Sequence, residues 1–266
     1  HGRSGGRQLR LHPGTYPVTV SGHVVITGGA SGIGEATAIA LLDEGVAVSV
    51  LDADSDAVLR MEDRFEGEDI AAYACDVTDE DEVAERLSEA AVAFGPLTGL
   101  VNCAGIARDL PAEKTPVETF RQILDVNLTG SFILCQAALE HMGDRLAIVN
   151  MSSVSGLRAN AGRVAYGASK AGVAMMSQVL ANEWGGHGVR VNVIAPGPVD
   201  SPMVKNLHTS EDRKIWTART PMRRYGNVGE VANAILFLLS DEASYINGHV
   251  LTVDGGFLPA GITQEG

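Results

Sequence analysis

The sequence predicts an α/β domain: one doubly wound parallel sheet of about seven strands, with helices on both faces. Three observations carry this. Short aliphatic runs bounded by turn residues alternate with stretches of helical apolar spacing from Gly22 onward. Apolar residues make up 45% of the chain and aromatics only 5%, which suits aliphatic strands under Ala/Gly-rich helices better than an aromatic-cored sandwich. At 266 residues, without an internal repeat or a low-complexity linker, the chain can bury about three quarters of its unfolded surface in one core.

In chain order, residues 23–27 (HVVIT) read as a buried strand followed by a Gly-rich turn. Residues 33–44 have helical spacing and stop at Gly45, a natural C-cap. Residues 46–51 form a second strand, 55–65 a polar helix, and 70–75 a third strand; the acidic run 66–69 between them is a solvated turn. Residues 78–94 are amphipathic, open with Thr78 and acidic residues, and end at Gly95-Pro96. A fourth strand at 97–102, a long helix at 120–142, a fifth strand at 146–151 and an Ala-rich helix at 166–184 follow. The last strands are 189–195 and 249–253, with a helix at 228–240 between them; residues 196–227 read as a long irregular segment. Right-handed crossovers place such helices on both faces of the sheet.

A net charge of -13 argues against nucleic-acid partners, which are held by a basic face. No apolar stretch reaches the ~18 residues of a membrane span. The three cysteines lie far apart, with no C-x-x-C and no His at ligand spacing. They read as reduced core thiols of a cytoplasmic protein, with no metal site. Residues 1–20 are set aside as a flexible N-terminal arm or cloning remnant, Gly/Arg-rich at the start and without the apolar core of a secretory signal. Residues 21–266 are then the folded domain.

Residues 27–34 read T-G-G-A-S-G-I-G, directly after a strand and opening a helix. Glycines there let the backbone turn sharply and approach a pyrophosphate, and the helix N-terminus offers it free N–H groups and partial positive charge. Gly28, Ser31, Gly32, Ile33 and Gly34 are the candidate phosphate contacts. Asp52 ends the second strand at the distance where a carboxylate accepts hydrogen bonds from both adenosine ribose hydroxyls. It would repel the extra phosphate of NADP, and no Arg or Lys stands in the turn or beside Asp52 to offset this. NAD is therefore the expected cofactor and NADP the less favoured one.

Tyr166 and Lys170 are four apart on a predicted helix and share a face. A free phenol titrates near ~10. An ammonium about 4 Å away would stabilise its anion by about 4 kcal/mol at intermediate dielectric, bringing it toward the range of a working acid/base. Ser153 follows the fifth strand, at the edge where doubly wound sheets hold ligands, and can donate to a carbonyl oxygen; a turn or capping serine is the alternative. Asn127 sits mid-helix, where Asn is unfavourable. It is either satisfying the backbone at a kink or part of a water relay to Lys170.

Together these motifs resemble the short-chain dehydrogenase/reductase family, in its branch of about 250 residues, over residues 22–256. The resemblance implies the Rossmann type of sheet and an Asn-Ser-Tyr-Lys tetrad at Asn127, Ser153, Tyr166 and Lys170. It implies further cofactor contacts at Ala53, Asp76, Val77, Asn102, Ala104, Gly105, Pro196, Gly197, Val199 and Ser201, beside Tyr166 and Lys170. Cys103 stands where the family's N-N-A-G segment has its second Asn, and Ser201 where Thr is usual. Asp254-Gly255-Gly256 matches the typical ending.

The implied activity is hydride transfer between NAD and a secondary alcohol or ketone, most simply a sugar, polyol or similar small hydroxy compound. A 3-oxoacyl-thioester reductase is the alternative, and a non-catalytic dinucleotide-binding scaffold the alternative of another class. Residues 196–227 would form the substrate-binding loop; its Met203, Leu207, Trp216 and Met222 either wall an apolar pocket or pack the loop down. Arg108 and Asp109 could meet a polar substrate. The family also implies a homotetramer built on the two long helices, with the C-terminal helix and strand. Ala168, Ala171, Gly172 and Ala174 would allow close helix contact there but equally suit packing on the sheet.

Overall fold

A computed structural model describes residues 19–260. Most of the expected N-terminal arm therefore lies outside the described residues, as do residues 261–266. At the arm's predicted end the structure differs: Val20 is buried and joins the core.

Seven strands form one parallel sheet: β1 (His23–Thr27), β2 (Ala47–Asp52), β3 (Ile70–Ala74), β4 (Leu97–Asn102), β5 (Met142–Met151), β6 (Val189–Pro196) and β7 (Val250–Val253). Their spatial order is β3-β2-β1-β4-β5-β6-β7. The chain therefore steps outward from β1 to β3, then returns to the other side of β1 for β4. Alternate strand residues feed two cores, as the period of two requires. Val24 and Ile26 pack under α1 (Gly32–Asp43) and α2 (Ser55–Arg64) through Leu41 and Met61. Val25 and Leu100 face the opposite layer, with Leu87 of α3 (Glu80–Phe94) and Leu134 of α5 (Gly130–Ala138).

The helix starts explain most differences from the predicted boundaries. α3 begins at Glu80 because the Asp79 carboxylate accepts the Glu82 N–H (3.0 Å). The predicted 120–142 helix is α4 (Val117–Leu124), a π turn (Asp125–Thr129) and α5; it stops by Ala138, because Met142 already pairs with Leu97 in the sheet. A short α6 (Val154–Leu157) follows β5, and α7 (Val164–Trp184) starts two residues ahead of Tyr166.

The segment expected to be irregular contains α8 (Pro202–Leu207) and α9 (Ser210–Arg219) before α10 (Val228–Leu239). Both helices had readable signals. Ser201-Pro202 supplies a capping hydroxyl and a Pro in the first turn. Thr209 and Asp212 form a reciprocal capping box.

At the start of β1, the His23 ring is held between the Gly95 carbonyl (3.0 Å) and the Ser49 hydroxyl (2.9 Å). A carbonyl only accepts, so Nδ1 carries the proton and Nε2 accepts from Ser49. Burial lowers the pKa of this ring, and the Gly95 bond opposes the shift.

Candidate active site

The strand order reverses between β1 and β4, and the crevice above their C-terminal ends is the expected place for a ligand. There the protein has a cavity of about 420 Å³. One end is built from backbone. Gly28 turns away from β1 at φ +61°, and a Cβ on it would fall 2.8 Å from the N and Cα of Ala104. A side chain on Gly34 would run into the backbone oxygen of Gly28. The turn is tied down by Gly28 N–H to Leu51 O (2.8 Å), by Ala104 N–H to the Thr27 hydroxyl (3.2 Å), and by Ala30 N–H to the Asp52 carboxylate (3.1 Å). Ser31, the N-cap of α1, makes no capping bond with its own hydroxyl. Gly28, Ser31 to Gly34, Asp52, Ala53, Asp76, Val77, Ala104 and Gly105 all line the cavity. A glycine cradle, a helix N-terminus and a carboxylate in that order fit a dinucleotide's pyrophosphate and adenosine ribose.

The other end carries the reactive side chains. Ser153, at the N-cap of α6, accepts the Ser155 N–H (3.1 Å), and its hydroxyl draws the pKa of the Tyr166 phenol down. Lys170 Nζ donates to Met151 O (2.8 Å) and lies 5.8 Å from the Tyr166 ring centroid. The Ser152 hydroxyl donates to Lys170 O (2.7 Å), clamping α7 to the end of β5. Burial pushes the Lys170 ammonium down to about 8.

Burial and a neighbouring guanidinium dominate the acidity of the phenol. Burial pushes Tyr166 above its usual value, and the groups that pull it back are the Arg163 guanidinium and the Ser153 hydroxyl; Asp109 pushes it further up. Lys170 donates to the Met151 carbonyl and stands on the same side of the cavity as the phenol.

Two residues of the expected catalytic and cofactor-binding set do not line the cavity. Asn127 sits in the π turn, fully buried. Its Oδ1 accepts from Ile106 N–H (2.8 Å), and its Nδ2 donates to Ile106 O (3.0 Å) and to the Ser169 hydroxyl (3.0 Å). Ser169 in turn donates to Tyr166 O (2.8 Å). The Asn127 side chain thus satisfies the backbone of Ile106 on the loop after β4 and ties it to α7. Asn102, expected at the cofactor, lies behind the cavity, where its Nδ2 donates to Asn150 Oδ1 (2.8 Å). It is the last residue of β4, and the alternation of the strand turns its side chain into the core.

A family model described as Enoyl-(Acyl carrier protein) reductase matches residues 28–258. The chain is 42% identical over 238 residues to cis-4-hydroxycyclohexanecarboxylate dehydrogenase of Sinomonas cyclohexanicum, across 88% of this chain and 95% of that protein. It is 38% identical over 239 residues to the 3-oxoacyl-[acyl-carrier-protein] reductase FabG of Thermotoga maritima, across 88% and 96%. The D-threitol dehydrogenase of Mycolicibacterium smegmatis is 38% identical over 237 residues, across 88% and 91%. The chain belongs to the short-chain dehydrogenase/reductase family.

This short-chain dehydrogenase/reductase closes its cavity with residues 196–227. Pro196, Gly197, Val199 and Ser201 lie on the lining, and so do Met203, Leu207 and Trp216. Met222 does not; it is exposed and borders a smaller recess. Neither Arg108 nor Asp109 lines the cavity. Arg108 bonds the Ala107 carbonyl (3.1 Å), and Asp109 pairs with Arg163 (2.9 Å). Sequence reading missed Arg163 and His208, which do line it. His208 stacks parallel to Trp216 at 5.7 Å, and Trp216 packs on Phe257 at 5.0 Å. No motif spacing could reveal this group, because its members come from separate segments. Among the described residues no His/Cys/Asp/Glu group could hold a metal ion, and no helix is long and apolar enough to cross a membrane.

Proposed function

We propose that the protein uses NAD to interconvert a small secondary alcohol, such as a polyol or a ring alcohol, and its ketone. The observation that carries this is the Ser153–Tyr166 hydroxyl pair, set on the same cavity as the glycine cradle and Asp52. When bound, the nicotinamide supplies the site that accepts or returns hydride. Ser153 holds the substrate oxygen, and Tyr166 takes the hydroxyl proton in oxidation and returns it in reduction. Lys170 is the residue for the nicotinamide ribose. Asn127 fixes the loop after β4 and the first turns of α7 in register with one another. Pro196, Gly197, Val199 and Ser201 would hold the nicotinamide end.

NAD is favoured by Asp52, because the cations on the cavity, Arg163 and Lys170, belong to the catalytic end. Two of the relatives described above are named for small hydroxylated substrates, which supports the substrate class. The relative named for a 3-oxoacyl thioester keeps that reading as second. Homotetramer formation is supported by exposed apolar side chains on α5 and α7 (Phe132, Met175, Val179), and a cytoplasmic setting by the free thiols of Cys75, Cys103 and Cys135.

The test is absorbance of the reduced nicotinamide on a panel of D-threitol, cyclohexanols and acetoacetyl thioesters, with NAD(H) and NADP(H) in parallel. Turnover of the alcohols with NAD is expected. Reduction of the thioester alone, with NADPH preferred, would replace this reading by the second.

A further inference from the structure

We propose that Arg163 is a positioning residue: it fastens the substrate-side helices α8 and α9 to the first turn of the helix that carries Tyr166. The inference rests on the reading of Tyr166 as the proton-transfer group.

Arg163 stands three residues ahead of Tyr166, at the start of α7, and its side chain is only 11% exposed. Its Nε (3.2 Å) and Nη2 (2.9 Å) both donate to Asp109 Oδ2, on the loop after β4. The backbones of the same two segments are joined as well: Leu110 N–H donates to Gly162 O (2.8 Å), and Leu110 bridges to Arg163. From this anchored base, Nη2 reaches the ring of His208, just past α8, at 3.0 Å. A guanidinium has no acceptor, so Nε2 must accept. Nδ1 must then carry the proton and donate to the Tyr225 hydroxyl (2.9 Å). His208 is thereby held neutral, flat against Trp216 of α9.

One fork therefore connects the loop after β4, the catalytic helix and the substrate-side helices. The same guanidinium lies 5.4 Å from the Tyr166 ring centroid. It is the largest influence drawing the phenol back toward acidity. The charged or titratable groups around the phenol and this fork are Arg163, Asp109, Lys170, His208, Asp212, Arg213 and Tyr225. A Lys in its place would keep the charge but not the fork.

The experiment uses the purified full chain. Hydrogen exchange of the cofactor-free protein is measured for wild type, Arg163→Gln, Arg163→Lys and His208→Gln. Kinetics are taken across pH with NAD and D-threitol or cyclohexanol, whichever turns over. In Arg163→Gln we expect amides of residues 202–219 to exchange at least about tenfold faster, with those of α1 unchanged. We also expect kcat/KM to fall about 100-fold, and the acidic limb of the oxidation profile to move up by about one pH unit. Arg163→Lys should restore the limb but not the slow exchange. His208→Gln should speed exchange and raise KM while leaving the limb in place.

A lower melting temperature in Arg163→Gln with neither faster exchange nor a moved limb would reduce Arg163 to a structural residue and overturn the proposal. Should that variant not fold, unchanged KM and exchange in His208→Gln would overturn it equally. Tyr166→Phe run alongside separates the two readings: an active Tyr166→Phe sinks the assignment of Tyr166, whereas an inactive one with unaltered Arg163 variants sinks only this inference.

Discussion

At its β1–β2 end the cavity is bounded by main chain. Glycines approach within contact distance of neighbouring loops, strand ends hold the turn, and Asp52 braces it through the Ala30 N–H. At its β5–α7 end it is bounded by side chains drawn from distant segments: Ser153, Tyr166, Arg163, His208 and Trp216. A main-chain wall tolerates almost no substitution, because any new atom displaces a whole loop. A side-chain wall can be recut one residue at a time while the sheet stays as it is. Injury to the first end should therefore register in stability and cofactor affinity, and injury to the second in turnover and KM.

The largest expected effect tests the side-chain end. Tyr166→Phe should lower kcat about 1,000-fold, the range of a lost general acid/base, while NAD affinity and melting temperature stay close to wild type. Stopped-flow turnover with NAD titration by calorimetry checks this, and a large loss of NAD affinity would blur the division. Next comes the main-chain end. Gly34→Ala places a Cβ against the Gly28 carbonyl. An overpacking cost of ~2 kcal/mol should lower the melting temperature by about 5 °C. Displacement of the turn should weaken NAD about 100-fold. Scanning calorimetry and the same titration decide it; a normal melt with intact NAD binding would break the comparison.

A smaller effect is expected from Asp52→Asn. Removing the carboxylate's charge should cut the NAD/NADP ratio of kcat/KM by about tenfold, about 1.4 kcal/mol, because a repulsive element against the extra phosphate is lost. Kinetics with both cofactors measure it.

The smallest effect concerns the scaffold under both ends. The pKa of His23 in the folded protein is lowered from its ordinary 6.5 by burial. The unfolded chain therefore binds more protons at acidic pH, so this contribution to stability is present above pH 6.5 and is lost as pH falls through the lowered value. Thermal melts from pH 7.5 to 5 should show a falling midpoint, with a shallower slope in His23→Gln.

The division also explains what could be read from sequence. The main-chain end is a contiguous run, and its demands are met by residue types with one physical meaning: glycine where a Cβ has no room, an acid at a strand end. Tyr166, Lys170 and Ser153 were legible for the related reason that helix spacing and a strand edge place them. The Asp109–Arg163–His208 fork was not, since it joins loops whose proximity exists only after folding. The same limit applies to the phenol, which burial pushes up and Arg163 draws back. α8 and α9 were a different kind of miss, because their caps at Ser201 and Thr209 stand in the sequence.

The π turn at Asp125–Thr129 has a consequence for the whole rod from Val117 to Ala138. One surplus residue advances the angular phase of everything beyond it by about 100° relative to an unbroken α-helix. α4 can then face α7 while α5 turns Ile133 and Leu134 toward the sheet and α3. Deleting a single residue there would make a more regular helix and a worse protein: two greasy side chains would swing toward water, and the amide of Asn127 would leave its place between Ile106 and Ser169.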